Sequence, residues 1–257
     1  MKEKVLAVTA LALALNVYAA NDAAWMRYCA ISPDGQQIAF SYKGDIYTVG
    51  VNGGRANQIT TNPAHDTHPI WSPNGQQIAF ASDRLGGMDI YIVDKEGGVP
   101  TRITTHSGNE TPLAFKDNEH ILFQANILPA ADDMQFASAQ FPQVYEVSTS
   151  GGRPIMFSSM PMEDISISAD GKTLLYHDKK GYEDNWRKHH TSSITRDVWM
   201  CNLDGERSYK KLSTFNGEDR TPVWANADTY YYLSEQNGSF NVFKANLNEG
   251  NPIQVTK

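Results

Sequence analysis

The chain has little of several things that would simplify its classification. Its 257 residues include two cysteines, Cys29 and Cys201, too few for a disulfide framework to hold the core. Lys and Arg number 22 against 29 Asp and Glu, for a net charge of −7, and no block of basic residues occurs. That balance excludes a nucleic-acid backbone as the main partner, because such binding is driven by clustered cations that displace counterions. Helical 3.6-residue periodicity is absent, and no apolar stretch approaches the ~20 residues that span a bilayer. Also missing are the Gly-x-Ser-x-Gly elbow, the His-Glu-x-x-His pair, a Gly-rich phosphate loop and Cys-x-x-Cys, so no common signature of hydrolase, zinc, nucleotide or thiol-redox chemistry is present. Disorder is excluded as well, since 40% of the residues are hydrophobic and only 20% are charged.

What is present begins with an address. Lys2 and Lys4 precede the apolar run Val5 to Leu15, and Val17-Tyr18-Ala19 follows it. A positive start, a short apolar middle and a small-residue cleavage site form the plan of a secretory signal peptide. Residues 1–19 are therefore expected to be removed, leaving residues 20–257 as an exported, periplasmic or secreted domain of a Gram-negative bacterium, with no membrane span after cleavage. Export makes a Cys29–Cys201 bridge chemically possible. Cys201, however, aligns with Val49, Val93, Val147 and Ala245 of other repeats, which favours a small buried hydrophobe.

Those repeats organise the chain. Ile31-Ser32-Pro33-Asp34-Gly35-Gln36-Gln37-Ile38-Ala39-Phe40 returns as Trp71-Ser72-Pro73-Asn74-Gly75-Gln76-Gln77-Ile78-Ala79-Phe80, and weaker copies start near Ala114, Ile167 and Trp224. Each copy continues with an alternating segment, as in Asp45-Ile46-Tyr47-Thr48-Val49 and Asp89-Ile90-Tyr91-Ile92-Val93, then a Gly-containing turn, then a short last segment such as Gln58-Ile59-Thr60. Period-two alternation of β-branched and aromatic residues is a strand signal, and Pro-Asp-Gly closes tight turns. Each unit of about 40 residues thus reads as a four-stranded antiparallel meander, and such sheets bury both faces only by stacking around an axis. The expected fold is an all-β propeller with blades starting near residues 31, 71, 114, 167 and 224.

Two insertions, residues 126–142 and 178–195, fall between the second and third strands of units three and four. Long loops on a rigid scaffold concentrate function. In the second insertion Trp186, Arg187, His189 and His190 are candidates for docking a substrate or a domain, because histidine and arginine can hold a carboxylate or a peptide end by charge-assisted hydrogen bonds. His65-Asp66-x-His68 is too crowded to converge on one ion, Ser208-x-x-Lys211 reads as solvated surface, and Glu218-Asp219-Arg220 reads as an interblade ion pair. No catalytic residue, metal site or cofactor is assigned.

The Ser-Pro-Asp-Gly…Ile-Ala-Phe and Asp-Ile-Tyr pattern resembles the propeller repeat of the periplasmic Tol-associated propeller protein and of tricorn-type proteases. More specific are Trp25-Met26-Arg27-Tyr28, the run from Tyr176 to Glu183 with Trp186-Arg187-Lys188-His189-His190-Thr191-Ser192-Ser193, and Gly217-Glu218-Asp219-Arg220 followed by Leu233-Ser234-Glu235. Together they resemble the N-terminal propeller of exported tricorn-like serine proteases of the C-terminal-processing type. The resemblance implies a non-catalytic propeller that guides or filters peptides or unfolded protein toward PDZ-like and protease domains lying beyond Lys257. It also implies a first propeller that is usually six-bladed, against five units here, and leaves room for homo-oligomers. Two other readings compete: a free-standing protein-interaction propeller of the Tol-associated type, and a five-bladed glycosidase. The glycosidase would need carboxylates on the channel wall, where the first strands are expected to present Ile31, Trp71, Ala114, Ile167 and Trp224.

Overall fold

A computed structural model describes residues 25–127, 141–181, 192–248 and 250–257. The proposed signal peptide, most of the first insertion, and Trp186, Arg187, His189 and His190 lie outside the described residues. The strands run in sequence as five blades. Blade one holds β1 (Arg27–Ile31), β2 (Gln37–Tyr42), β3 (Asp45–Gly50) and β4 (Asn57–Gln58). Blade two holds β5 (Asp66–Trp71), β6 (Gln77–Leu85), β7 (Gly87–Asp94) and β8 (Thr101–Arg102). Blade three holds β9 (Glu110–Phe115), β10 (His120–Ala125), β11 (Gln143–Ser148) and β12 (Ile155–Ser158). Blade four holds β13 (Met162–Ile167), β14 (Thr173–Asp178), β15 (Val198–Asn202) and β16 (Ser208–Lys211). Blade five holds β17 (Asp219–Trp224), β18 (Thr229–Ser234), β19 (Asn241–Asn246) and β20 (Ile253–Gln254). In every sheet the strands pair in chain order and antiparallel, so the fold is an all-β propeller of four-stranded blades.

The sequence pattern explains both the turns and the stacking. In blade one the Ser32 hydroxyl donates to Asp34 Oδ1 at 2.6 Å, the Gln37 N–H donates to Ser32 Oγ at 2.9 Å, and Gly35 takes φ of +69°. Ser72-Asn74-Gln77 and Ser168-Asp170-Thr173 repeat the arrangement. Each serine thus satisfies the backbone at the hairpin mouth while Gly supplies the left-handed corner.

Alternation then sends successive residues of one strand to different blade interfaces. Ile78 and Phe80 of β6 pack with Ala39, Ile46 and Ile59 of blade one, whereas Ala79 between them packs with Phe115, Ile121 and Phe123 of blade three. Clusters of this kind fill the one/two, two/three, three/four and four/five interfaces. Among the described residues none joins blade five to blade one, and the first strand of blade one faces solvent, with Ile31 65% exposed. Cys201 sits in the cluster between blades three and four, Cys29 is exposed, and both are free thiols.

A polar seam accompanies the apolar one. The N–H groups of Ile46, Ile90, Val198 and Val242, each on a third strand, donate to the hydroxyls of Thr60, Thr104, Ser213 and Thr256. The same hydroxyl region meets an acid of the next blade's first strand: Thr104 donates to Glu110, and Ser213 lies by Asp219. Buried acids need partners. Arg84 takes both oxygens of Asp66 at 2.8 Å, Arg102 pairs with Asp89 at 2.8 Å, and Lys211 with Asp197 at 2.8 Å.

Candidate functional site

The five innermost strands converge on a cavity of about 520 Å³. Its wall is shaped by a repeated irregularity. The pairing of first to second strand slips between Arg27 and Ala30, Thr67 and Ile70, Glu163 and Ser166, and Arg220 and Val223. Within each slip one residue adopts the left-handed conformation: Tyr28 (φ +54°), His68 (+53°), Asp164 (+50°) and Thr221 (+53°). Such a conformation is uncommon for any non-glycine residue and a true outlier for β-branched threonine. Blade three has Pro112 at the equivalent place, whose ring forbids positive φ. There the slip lies one pair along, between Phe123↔Pro112 and Leu122↔Ala114.

A bulge bends its strand and re-aims a side chain. All five residues, Tyr28, His68, Pro112, Asp164 and Thr221, consequently line the cavity and form a collar around the axis. Contacts within it cross between blades. The Tyr28 and His68 rings lie 3.6 Å apart, and the Thr221 hydroxyl donates to Asp164 Oδ2 at 2.8 Å.

Charge on the wall is mostly neutralised locally. His177, almost fully buried, has Nε2 3.1 Å from Glu163 Oε2, while its Nδ1 accepts the Thr221 N–H at 3.3 Å. Because Nδ1 accepts, its proton belongs on Nε2, directed at Glu163. Glu163 also receives Lys179 at 3.0 Å and has Arg196 Nε at 3.5 Å. Burial alone would raise its carboxyl, but the hydrogen bonds from His177 and Lys179, with the Lys179 charge, outweigh that and hold it down at about 2. Arg196 reaches Glu218 at 2.9 Å, and Arg220, whose guanidinium lies 4.2 Å over the Phe240 ring, approaches Glu218 at 3.4 Å. The interblade ion pair read from Glu218-Asp219-Arg220 is thus present, with Arg196 of blade four as the cross-blade partner. Burial lowers the His68 imidazole, against the raising effect of the Asp164 charge.

The expected wall residues are corrected by this geometry. Ile31, Trp71, Ala114, Ile167 and Trp224 stand at the far ends of the innermost strands and none of them lines the cavity. Two carboxylates, Glu163 and Asp164, do line it. The recognised Ser-Pro-Asp-Gly signature marks where the innermost strand exits, so the cavity-facing residues precede it in the chain. A carboxyl held near 2 stays ionised, so Glu163 is not suited to the general-acid role in glycoside cleavage. Of His65-Asp66-x-His68, Asp66 is turned to Arg84 and His68 to Tyr28. Lys211 of Ser208-x-x-Lys211 is committed to Asp197 on an exposed last strand.

The insertions bear on this site through the strands that carry them. Asp178 at the end of β14 pairs with Met162, where β13 begins, and Ala125 at the end of β10 pairs with Glu110, where β9 begins. Both insertions therefore leave the blades at the end where the innermost strands start, the end that carries Glu163, His177 and Arg196.

Sequence comparison assigns the family, and structure comparison agrees on the propeller fold. The family model described as the tricorn protease N-terminal beta propeller domain matches residues 23–257. The tricorn protease homolog 1 of Streptomyces coelicolor is 23% identical over 208 residues, covering 80% of this chain and 19% of that protein. The uncharacterized protein Atu1656 of Agrobacterium fabrum is 34% identical over 216 residues, covering 79% of this chain and 68% of that protein. Among solved structures, the tricorn protease superposes with a TM-score of 0.68 at 20% identity over 89% of this chain and 22% of that one. A putative TolB from Agrobacterium tumefaciens gives 0.68 at 16% identity over 89% and 79%. The chain spans about a fifth of the length of its Streptomyces relative.

Proposed function

Because the chain belongs to the family of tricorn protease N-terminal β-propeller domains, we propose that it is a non-catalytic substrate-handling module, which admits peptides or unfolded segments to its axial cavity and guides them toward PDZ-like and protease domains. The observation that carries this reading is the collar: a cavity of about 520 Å³ whose ionisable wall groups are largely tied to one another, and which offers hydrogen-bonding side chains such as Thr111 and Gln124. A peptide needs such groups for its backbone, whereas cleavage needs an activated nucleophile. The insertions leave the blades on the same side as Glu163 and His177, which suits Trp186, Arg187, His189 and His190 to docking at the cavity mouth.

A tryptic digest of β-casein should bind the purified chain saturably without being cleaved. Thr111→Trp, which puts bulk on the cavity wall, should weaken that binding several-fold with an unchanged circular dichroism spectrum. Undiminished binding would move the peptide site away from the axis, and cleavage blocked by a serine-directed inhibitor would overturn the non-catalytic reading. Export to the periplasm belongs to the same proposal and rests on Lys2, Lys4 and the apolar run up to Leu15. Mass spectrometry of the protein from its native host should find Ala20 at the amino terminus, and a retained Met1 would refute export.

A further inference from the structure

Among the described residues, the collar leaves one charge with no counter-ion in hydrogen-bond range. Glu163 is matched by Lys179 and Arg196, and Glu218 by Arg196 and Arg220. Asp164, half-exposed in the cavity, accepts one hydrogen bond among the described residues, from the Thr221 hydroxyl to Oδ2. The basic group that approaches it among the described residues, His177 Nδ1 at 3.6 Å, is already occupied as the acceptor of the Thr221 N–H and carries no proton to give. No hydrogen bond reaches Asp164 Oδ1 among the described residues. The left-handed bulge turns this carboxylate into the cavity, and the Tyr28 and His68 rings, in contact at an interplanar angle of 31°, belong to the same collar.

We propose that the axial cavity binds a primary ammonium group, specifically the free amino terminus of a peptide, through Asp164. An ammonium has three donors and no acceptor, so it suits the open Oδ1 and the π face of Tyr28; the arginines that also line the cavity, Arg196 and Arg220, are held by Glu163 and Glu218. From the ammonium the peptide backbone continues along a wall that offers the Thr111 hydroxyl and the Gln124 amide. This inference rests on the peptide-handling reading above and names the part of the peptide that is held.

The test is calorimetric titration of the full chain, at low salt, with the pentapeptide Gly-Ala-Phe-Ala-Gly amide, its N-acetylated form, and an N-acetylated form with lysine in the first position. Acetylation should weaken binding about tenfold to a hundredfold, the range of a lost charge-assisted hydrogen bond. Asp164→Asn, which keeps an acceptor for Thr221, should weaken the free-amine peptide by a similar factor and leave the acetylated one unchanged. The lysine peptide separates an α-amino group from a side-chain ammonium: binding as weak as that of the plain acetylated peptide supports the amino terminus, and full recovery overturns that assignment. Equal binding of free and acetylated peptides to the wild-type chain would overturn the ammonium site while leaving peptide handling intact. Failure of all three to bind would overturn both. The comparison of peptides on the wild-type chain decides the question even where D164N does not fold.

Discussion

Phe123→Ala lowers the free energy of unfolding by about 3–5 kcal/mol, the range for removing a fully buried aromatic side chain and leaving a cavity. Phe123 is 0% exposed in β10 and belongs to the cluster that joins blade two to blade three, with its ring 5.7 Å from that of Tyr145. Helices are absent from the described residues, so the interblade clusters are where the blades bury their apolar faces against one another. The prediction is checked by urea unfolding: the midpoint should fall while the slope is retained. Ile253→Ala is the control, since Ile253 is 67% exposed in the last strand, and its effect should stay within about 0.5 kcal/mol. A loss below about 1 kcal/mol for Phe123→Ala would show that interblade packing does not carry the stability of the domain.

Glu110→Gln has the opposite sign and depends on pH. Glu110 is fully buried at the interface of blades two and three, its Oε2 accepts the Thr104 hydroxyl, and its Oε1 has no hydrogen-bond partner among the described residues. Burial pushes its carboxyl from an ordinary 4.5 up to about 7; the Thr104 hydrogen bond opposes the shift and the neighbouring Asp89 charge adds to it. Between those two values the folded chain holds a proton that the unfolded chain has released, so stability falls as pH rises from 4.5 to 7 and the full deficit persists above. The deficit is on the order of 3–4 kcal/mol. Glutamine keeps the acceptor and removes the charge, so the variant should melt higher than the wild type at pH 8 and nearly with it at pH 4.5.

Asp219 acts in the same direction, since burial raises it from 3.8 to about 6 against the hydroxyls of Ser234 and Ser213. Glu163 acts oppositely. Its pKa is depressed to about 2, so its contribution is complete above the ordinary 4.5 and is lost as pH falls toward 2. The wild-type domain should therefore be most stable near pH 5, and a stability that rises steadily from pH 5 to pH 8 would contradict the buried, uncompensated state of Glu110 and Asp219.

The blades were legible because each one repeats the same local instructions. Ser32-Pro33-Asp34-Gly35 and Ser72-Pro73-Asn74-Gly75 dictate a hairpin through groups a few residues apart, and the alternation of Ile78, Ala79 and Phe80 dictates two buried faces. The collar was not legible for a related reason. Tyr28, His68, Pro112, Asp164 and Thr221 have nothing in common as side chains; what they share is a place in a bulge, set by backbone pairing to the second strand. An attentive alignment of the residues preceding each signature would have found a non-aliphatic position there, but not which way it faces. The acids Glu110 and Asp219 were visible only as polar residues at strand starts, because the Thr104 and Ser213 hydroxyls that face them come from the preceding blade.

Sequence alone determined the architecture, since turn chemistry and period-two alternation act over short distances and recur five times. Tertiary structure alone decided the site. Whether a carboxylate on the axis is matched, as Glu163 is by His177, Lys179 and Arg196, or left open, as Asp164 is, depends on groups brought together from different strands and loops. Coulomb energies and hydrogen bonds follow distance in space, which separation along the chain does not reveal.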